Sequence, residues 1–304
     1  MLNDGATNYW CLGEDPGSTI AYDWAGADDA PAGTGVTFGA PGAIGGGDMT
    51  TAATFDGTSN GRVSTTDQIV GPQTFSIEAW FKTTTTAGGK IVGFGNASTG
   101  NSTNYDRHVW MSTSGRVNFG VYPGTSRTVT SSRAYNDGAW HYVVATLGPS
   151  GMTLFIDGAK AAARSDTTSA QSYSGYWRIG GDTSWDGAAY FNGSIDDVAI
   201  YPGPLTPAQV DTHWVDAGNT SALPPAPADA YGQAVYSLFP DLYWRLGEKR
   251  GSVAADSGPV GNPGTISKGV TLGVAGALSG VSDTAARFNG TSSGLVASNA
   301  MFVD

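Results

Sequence analysis

Three blocks of this chain occur twice in the same order, and any fold must accommodate that repetition. YWCLGE at 9–14 returns as YWRLGE at 243–248, an offset of 234. GVTFGAPGAI from Gly35 returns at the same offset as GVTLGVAGAL from Gly269. TAATFDGTSNGRV from Thr51 returns as TAARFNGTSSGLV from Thr284, one residue nearer, and Asp23 maps onto Asp256. Collinear recurrence over three blocks is the signature of tandem copies. The second copy reaches position 304 opposite Gly71 of the first, so it holds only the opening strands. A part-domain of that kind cannot bury an ordinary core. The expectation is a piece of a longer polypeptide or, as a second reading, strand exchange in which this tail completes a neighbouring chain. The organisation expected is a complete domain over 1–218, a Pro/Ala-rich extended linker over 219–230, and the N-terminal part of a second, incomplete domain over 231–304.

Each copy should be built from strands. The 304 residues include 45 Gly and only 13% charged side chains, which suits short strands and turns better than long charged helices. No run of about 18 apolar residues is present, so membrane insertion is not expected. A net charge of −11 argues against nucleic acid as a partner. Of the 26 acidic residues 23 are Asp, a residue that favours turns and caps and whose short carboxylate suits loop calcium sites. Cys11 is the single cysteine, excluding an intrachain disulfide and a cysteine-based zinc site. The start, MLNDG, lacks the basic and apolar regions of a signal peptide.

Along the first copy, short segments are separated by turn signals at sandwich spacing. Phe75, Ile77, Ala79 and Phe81 alternate with Ser76, Glu78 and Trp80. Residues 90–94 form an apolar strand, and 95–105 a polar loop. Residues 107–111 and 117–122 flank a hairpin at Ser114-Gly115. Asp157-Gly158 is a type I′ dipeptide. A loop carrying Asp182, Trp185, Asp186 and Tyr190 follows Gly180-Gly181. In NGSIDDVAIYPGPLTPAQV, from Asn192, alternation predicts Asp196, Val198 and Ile200 on one face and Ile195, Asp197, Ala199 and Tyr201 on the other. Thr206 and Gln209 form a capping box with Pro207 at the first helical position, and Val210 and Trp214 form the face of a short helix ended by Gly218. The fold class is therefore all-β: an antiparallel sandwich with a short C-terminal helix, followed by a partial second sandwich.

FSIEAWFKT, DGAWHYVVATL, MTLFIDGAK, WRIGG and NGSIDDVAIYPGPLTPAQV, in that order, resemble the laminin-G-like (LamG) jelly-roll domain of the concanavalin A-like lectin/glucanase group, closest to domains of large secreted bacterial multidomain proteins. The resemblance runs from Tyr9 to about Gly218 and returns, incomplete, from Tyr236. It implies two antiparallel sheets, an extracellular or cell-surface location, frequent calcium binding, and adhesion to glycans or proteins. By position, the calcium ligands it implies are Asp23 and Asp196, with Asp197 beside them. Asp23 departs from the pattern, because Trp-Ala-Gly follows it where the family has Ser-Gly-Asn. The alternative is that Asp196 accepts backbone N–H bonds.

The group also contains glucanases, whose strand motif Glu-x-Asp-x-x-Glu supplies the paired carboxylates of a retaining mechanism. Here SIEAWF offers Glu78 alone, and the complete domain has only Glu14 as a second glutamate. His108, His141 and His213 lie far apart with no Gly-x-Ser-x-Gly elbow, so a hydrolytic triad has no support. The chain is expected not to be an enzyme. Recognition residues are expected on loops over a rigid scaffold: Tyr105, Asp106 and Arg107 in one loop, and Asp182, Trp185 and Tyr190 in another. Trp185 is expected to be exposed, whereas Trp80, Trp110, Trp140 and Trp177 are assigned to packing. The reading is a non-catalytic carbohydrate-binding or adhesion module from a tandem array, stabilised by calcium. Its partners would be a glycan or a cell-surface or matrix polymer, and neighbouring domains of the same chain. The alternatives are a structural spacer repeat and a glycoside hydrolase.

Overall fold

The alternation in Phe75–Lys82 sets the layering: Phe75, Ile77, Ala79 and Phe81 are fully buried in the main core, while Ser76, Glu78 and Trp80 lie on the opposite face of the strand. In the computed structural model, which describes residues 1–45, 51–240, 242–291, 294 and 296–298, the chain divides into two compact units, Met1–Ser221 and Ala222–Asp304.

The first unit is a sandwich of two antiparallel sheets. One has the order Ala159–Arg164, Gly151–Ile156, Trp140–Gly148, Phe75–Lys82, Asn192–Tyr201, Thr51–Asp56, Val36–Pro41, with Asn8–Trp10 added against the Asn192 strand. The other has the order Arg127–Ala134, Arg116–Val121, Tyr105–Met111, Gly89–Gly95, Ser174–Ile179, Val63–Ser64, with Ile69–Val70 against the Ser174 strand. Between them Phe75 meets Phe119 and Trp177 edge to face, with ring centroids 6.0 and 6.4 Å apart. Each large side chain buried this way contributes roughly 1.5–3 kcal/mol of transfer free energy. The turns are those the dipeptides predict: Asp157 and Gly158 take φ of 53° and 78°, as a type I′ turn requires.

The helix Pro207–Asp216 begins as expected. Thr206 accepts from the Gln209 backbone, the Gln209 side chain caps in return, and Pro207 is the first helical residue. It packs on the outer face of the first sheet, where Val210 is fully buried and Trp214 stacks on Trp80 at 5.5 Å.

The predicted face parity of the Asn192 strand changes midway. Asp196 stands opposite Trp80 and Ala199 opposite Glu78, so Asp197 is an extra residue in a bulge, with φ 49°. An inserted residue shifts the pleat by one. Val198 and Ile200 therefore face the core with Ile195, while Asp196 joins Ala199 and Tyr201 on the helix-bearing face.

The second unit contains a three-stranded sheet, Val253–Ala254, Gly264–Ile266 and Val296–Ser298, and a hairpin, Val270–Ala275 with Thr284–Phe288. A seven-residue helix, Ala230–Tyr236, capped by Asp229, follows the Pro/Ala-rich segment. Local geometry of the first unit recurs at corresponding positions. The Tyr9 amide donates to Asp23 Oδ1 at 2.8 Å, and that of Tyr243 to Asp256 Oδ1 at 2.9 Å. Trp10 Nε1 donates to Asp28 O, and Trp244 Nε1 to Asn262 O. Leu12 and Leu246 share positive φ values of 59° and 56°. Both hairpins carry an irregularity around a positive-φ glycine, Gly39 and Gly273.

Candidate functional site

Strand register places a distinctive set of side chains on the outer face of the second sheet. Lys90 pairs with Trp110, Trp110 with Asn118, and Asn118 with Thr130, forming one row. His108 pairs with Gly120, while Gly93 pairs with Arg178 and Arg178 with Ser64, forming a second. Glycine at 93, 95 and 120 leaves hollows that neighbouring side chains fill. A Cβ at Gly120 would lie 2.4 Å from the Trp185 ring; one at Gly93 would meet His108 Cβ at 2.8 Å and Lys90 Nζ at 3.4 Å. One at Gly95 would stand 2.3 Å from Asp182 Oδ2.

This face concentrates unsatisfied polar atoms. Among the described residues, seven of the twelve buried side-chain N and O atoms without a hydrogen-bond partner lie here: Ser64 Oγ, Lys90 Nζ, both His108 nitrogens, Trp110 Nε1, Arg178 Nε and Asp182 Oδ2. A native fold leaves few such groups, because each orphan costs about 1–3 kcal/mol. Burial pushes the Lys90 ammonium down to about 8, against the charge of Asp182. Burial, then the Lys90 charge, holds His108 well below its ordinary value and therefore neutral. Aromatic rings complete the surface. Trp185 meets His108 at 4.5 Å, Trp110 at 5.5 Å and Tyr122 at 6.5 Å, and Lys90 Nζ lies 5.1 Å from the Tyr105 ring centre.

The residues expected to bind ligand divide into two groups. Tyr105, Trp185 and Tyr190 are half-buried at this face, Tyr190 tied to Asn101 through its hydroxyl. Trp185 is thus less exposed than expected, because Gly120 leaves it a seat against His108 and Trp110. Asp182 is fully buried; its Oδ1 accepts from the Ser102 and Thr183 amides at 2.8 and 2.7 Å, which joins the two loops. Asp106 and Arg107, also fully buried, are occupied elsewhere. Asp106 pairs with Arg107 and accepts from the Tyr122 and Gln171 amides, while Arg107 donates to Pro72 O and Gln171 O at 2.7 and 2.6 Å. That knot fastens neighbouring segments and engages both side chains. Trp110, assigned to packing, is buried, but it packs on the outer face against His108 and Trp185 and outside the main core. Lys90 and Arg178 carried no assignment. A single lysine inside the otherwise apolar GKIVGFG strand was the signal for one of them.

The residues expected to hold calcium do not form one site. Both Asp23 oxygens are taken: Oδ1 accepts from the Tyr9, Ala25 and Gly26 amides, and Oδ2 from Asn8 Nδ2 and the Asp28 amide. Asp196 Oδ2 accepts from the Ala43 amide at 2.8 Å, leaving Oδ1 buried and unpaired, and Asp197 accepts from the Tyr9 hydroxyl. Burial raises both carboxyls, and for Asp196 the charge of Asp197 adds to it. Calcium takes six to eight oxygens. Among the described residues no group of three or more His, Cys, Asp or Glu side chains is placed to hold a metal ion, so a cation here would depend on backbone carbonyls and water for most of its ligands. Tyr9 instead bridges the ends of the unit, its amide on Asp23 and its hydroxyl on Asp197.

Glu78, the one carboxylate at a catalytic-motif position, is sealed beneath the Pro207 helix. Its oxygens accept from the Tyr142 and Tyr201 hydroxyls at 2.7 and 2.6 Å and face His213 Nδ1 at 3.1 Å. On its other side His213 Nε2 contacts Asp4 at 2.8 Å.

Comparison with known proteins places this architecture. No curated protein sequence matches the chain. The binding domain of Paraclostridial Mosquitocidal Protein 1 is 14% identical with a TM-score of 0.52, covering 88% of this chain and 65% of that one. Trypanosoma rangeli sialidase, in a complex with 2,3-difluoro-KDN, is 12% identical with a TM-score of 0.51 and covers 72% of this chain, which spans 33% of the sialidase. At these identities the likeness is one of fold. The model of the concanavalin A-like lectin/glucanases superfamily matches residues 56–211, and the chain belongs to that family.

Proposed function

We propose that the chain is a non-catalytic, extracellular glycan-recognition module, and that it binds through the outer face of the Gly89–Tyr105–Arg116 sheet. The observation that carries this reading is the concentration of buried, unpaired polar atoms beneath and beside Trp185, Trp110 and Tyr105. A sugar presents hydroxyls that such atoms can bond and apolar ring faces that stack on indole. The binding role in the name of the mosquitocidal domain agrees with it. A hydrolase reading has less support, because Glu78 has both oxygens occupied under a helix and the first unit's other glutamate, Glu14, belongs to the opening segment. The recurring Tyr–Asp, Trp–carbonyl and positive-φ leucine geometry supports a further part of the proposal, that the second unit repeats the opening of the first in a tandem array.

A glycan array probed with the full chain tests the reading. At least one glycan should bind, and Trp185→Ala should weaken it about tenfold, a loss of about 1.4 kcal/mol, while the melting temperature is maintained. No binding across the array would remove the glycan role. Loss of folding in Trp185→Ala would make the indole a packing residue.

A further inference from the structure

Three cations stand in series on the proposed binding face of a chain whose net charge is −11. Lys90 Nζ overhangs Gly93, and Gly93 pairs with Arg178. Arg178 pairs with Ser64, beside Arg62. Burial disfavours the Lys90 and Arg178 charges most; Asp182 supports both, while Arg178 opposes Lys90 and Arg62 opposes Arg178. Asp182 is the nearby acid, 3.8 Å from Arg178. Asp106 is committed to Arg107. Lys90 is fully buried and its ammonium has no hydrogen-bond acceptor among the described residues, although the Tyr105 ring lies 5.1 Å away and Asp182 acts on it by charge. Arg62 opens into a cleft of about 300 Å³ whose lining includes Ser64, Thr65, Ser98 and Thr99, with no aromatic or acidic residue.

A buried ammonium without an acceptor is costly unless an anion completes it. We infer that the glycan recognised on this face is acidic, carrying carboxylate or sulfate groups, with Arg62 at the entrance and Lys90 at the inner end. This rests on the glycan reading above and specifies its ligand class. The polar Arg62 cleft is open to solvent, whereas Lys90 at the inner end is fully buried, with the Tyr105 ring centre 5.1 Å from its ammonium. An acidic residue of the glycan reaching Lys90 supplies the acceptor that Lys90 lacks. Neutral sugars could use Trp185 and Trp110 but would leave the ammonium as it is. Salt screens the half-exposed Arg62 and the repulsion from the acidic chain, and the buried Lys90 contact much less.

The test uses the full chain on an array of paired glycans: uronate- and ulosonate-bearing oligosaccharides with their carboxyl-reduced forms, and sulfated oligosaccharides with their desulfated forms. Binding is expected to the acidic member of a pair. It should fall at least tenfold for the neutral member. The pairs that respond distinguish carboxylate from sulfate. Lys90→Met and the half-exposed Arg62→Gln should each lower affinity about tenfold while melting at or above the wild-type temperature; the second variant decides the matter where the first does not fold. Equal binding to both members of the pairs, or unchanged affinity in Arg62→Gln, overturns the inference. Neutral glycans bound through Trp185 would do so while leaving the glycan reading intact, and an array with no binder removes both.

Discussion

At Asp196 and Asp197 two carboxylates adjoin in a bulge, and what neutralises them decides the behaviour of this end of the sandwich. Asp197 is tied to Tyr9, and Asp196 keeps one oxygen unpaired. With Asp23 saturated by five N–H donors, the side-chain oxygens left fall short of the six to eight that calcium takes. The expected result is that the chain melts at the same temperature in millimolar calcium and in chelator. A calcium-dependent rise lost in Asp196→Ala would return the cation to this pair. Residue-scale chemistry was the part least legible in sequence. Asp106 and Arg107 follow a long polar loop, which suggested recognition, but a positive φ at Arg107 turns both inward. Conversely, Lys90 opens an apolar strand, and nothing local in the sequence gives it a role. Its importance depends on which residue lies across from it, and that register is a long-range property.

At the level of elements, the Pro207 helix is held down by a polar network as well as by Val210 and Trp214. Breaking it should be expensive: Glu78→Ala strands two tyrosine hydroxyls and His213, with a loss of about 3 kcal/mol or more in denaturant unfolding. A loss below about 1 kcal/mol would show that the network is hydrated and weak. The network also sets a pH dependence. Burial disfavours the His213 cation, but bonding to Glu78 and Asp4 outweighs it and raises the pKa above its ordinary value. His141, between Asp157 and Asp137, is raised in the same way. A raised histidine binds its proton more tightly folded than unfolded. Its contribution is complete below about pH 6.5 and is lost as pH rises through the folded-state value. The melting temperature should therefore fall from pH 6 to pH 8, and His213→Gln should flatten that slope; a flat wild-type profile would contradict it. The helix itself was readable from Thr206, Pro207 and Gln209, since capping is local chemistry. Its glutamate partner was not, because Glu78 comes from a strand 135 residues from His213.

On the scale of the whole molecule, alternation and turn dipeptides are local, so the sheet strands could be read before their pairing was known. The Asn192 strand shows the limit. One inserted residue at Asp197 reverses the side of everything beyond it, and only pairing with Phe75–Lys82 reveals it. The roof formed by Trp185 over His108 and Trp110 has a consequence in time. A ligand reaching for the unpaired nitrogens of His108 and Trp110 would have to wait for the indole to leave, so encounter and capture would become separate events. Stopped-flow association should be slower than the 10⁵–10⁷ M⁻¹s⁻¹ usual for an open surface and should level off at high ligand concentration, at the rate of the opening itself. Trp185→Ala should remove the plateau while it shortens the residence of whatever has bound. A wild-type rate that climbs linearly without limit would mean the roof already stands open. A module built this way favours ligands that stay at the surface long enough to meet an opening, as a tethered polymer does and a free sugar does not.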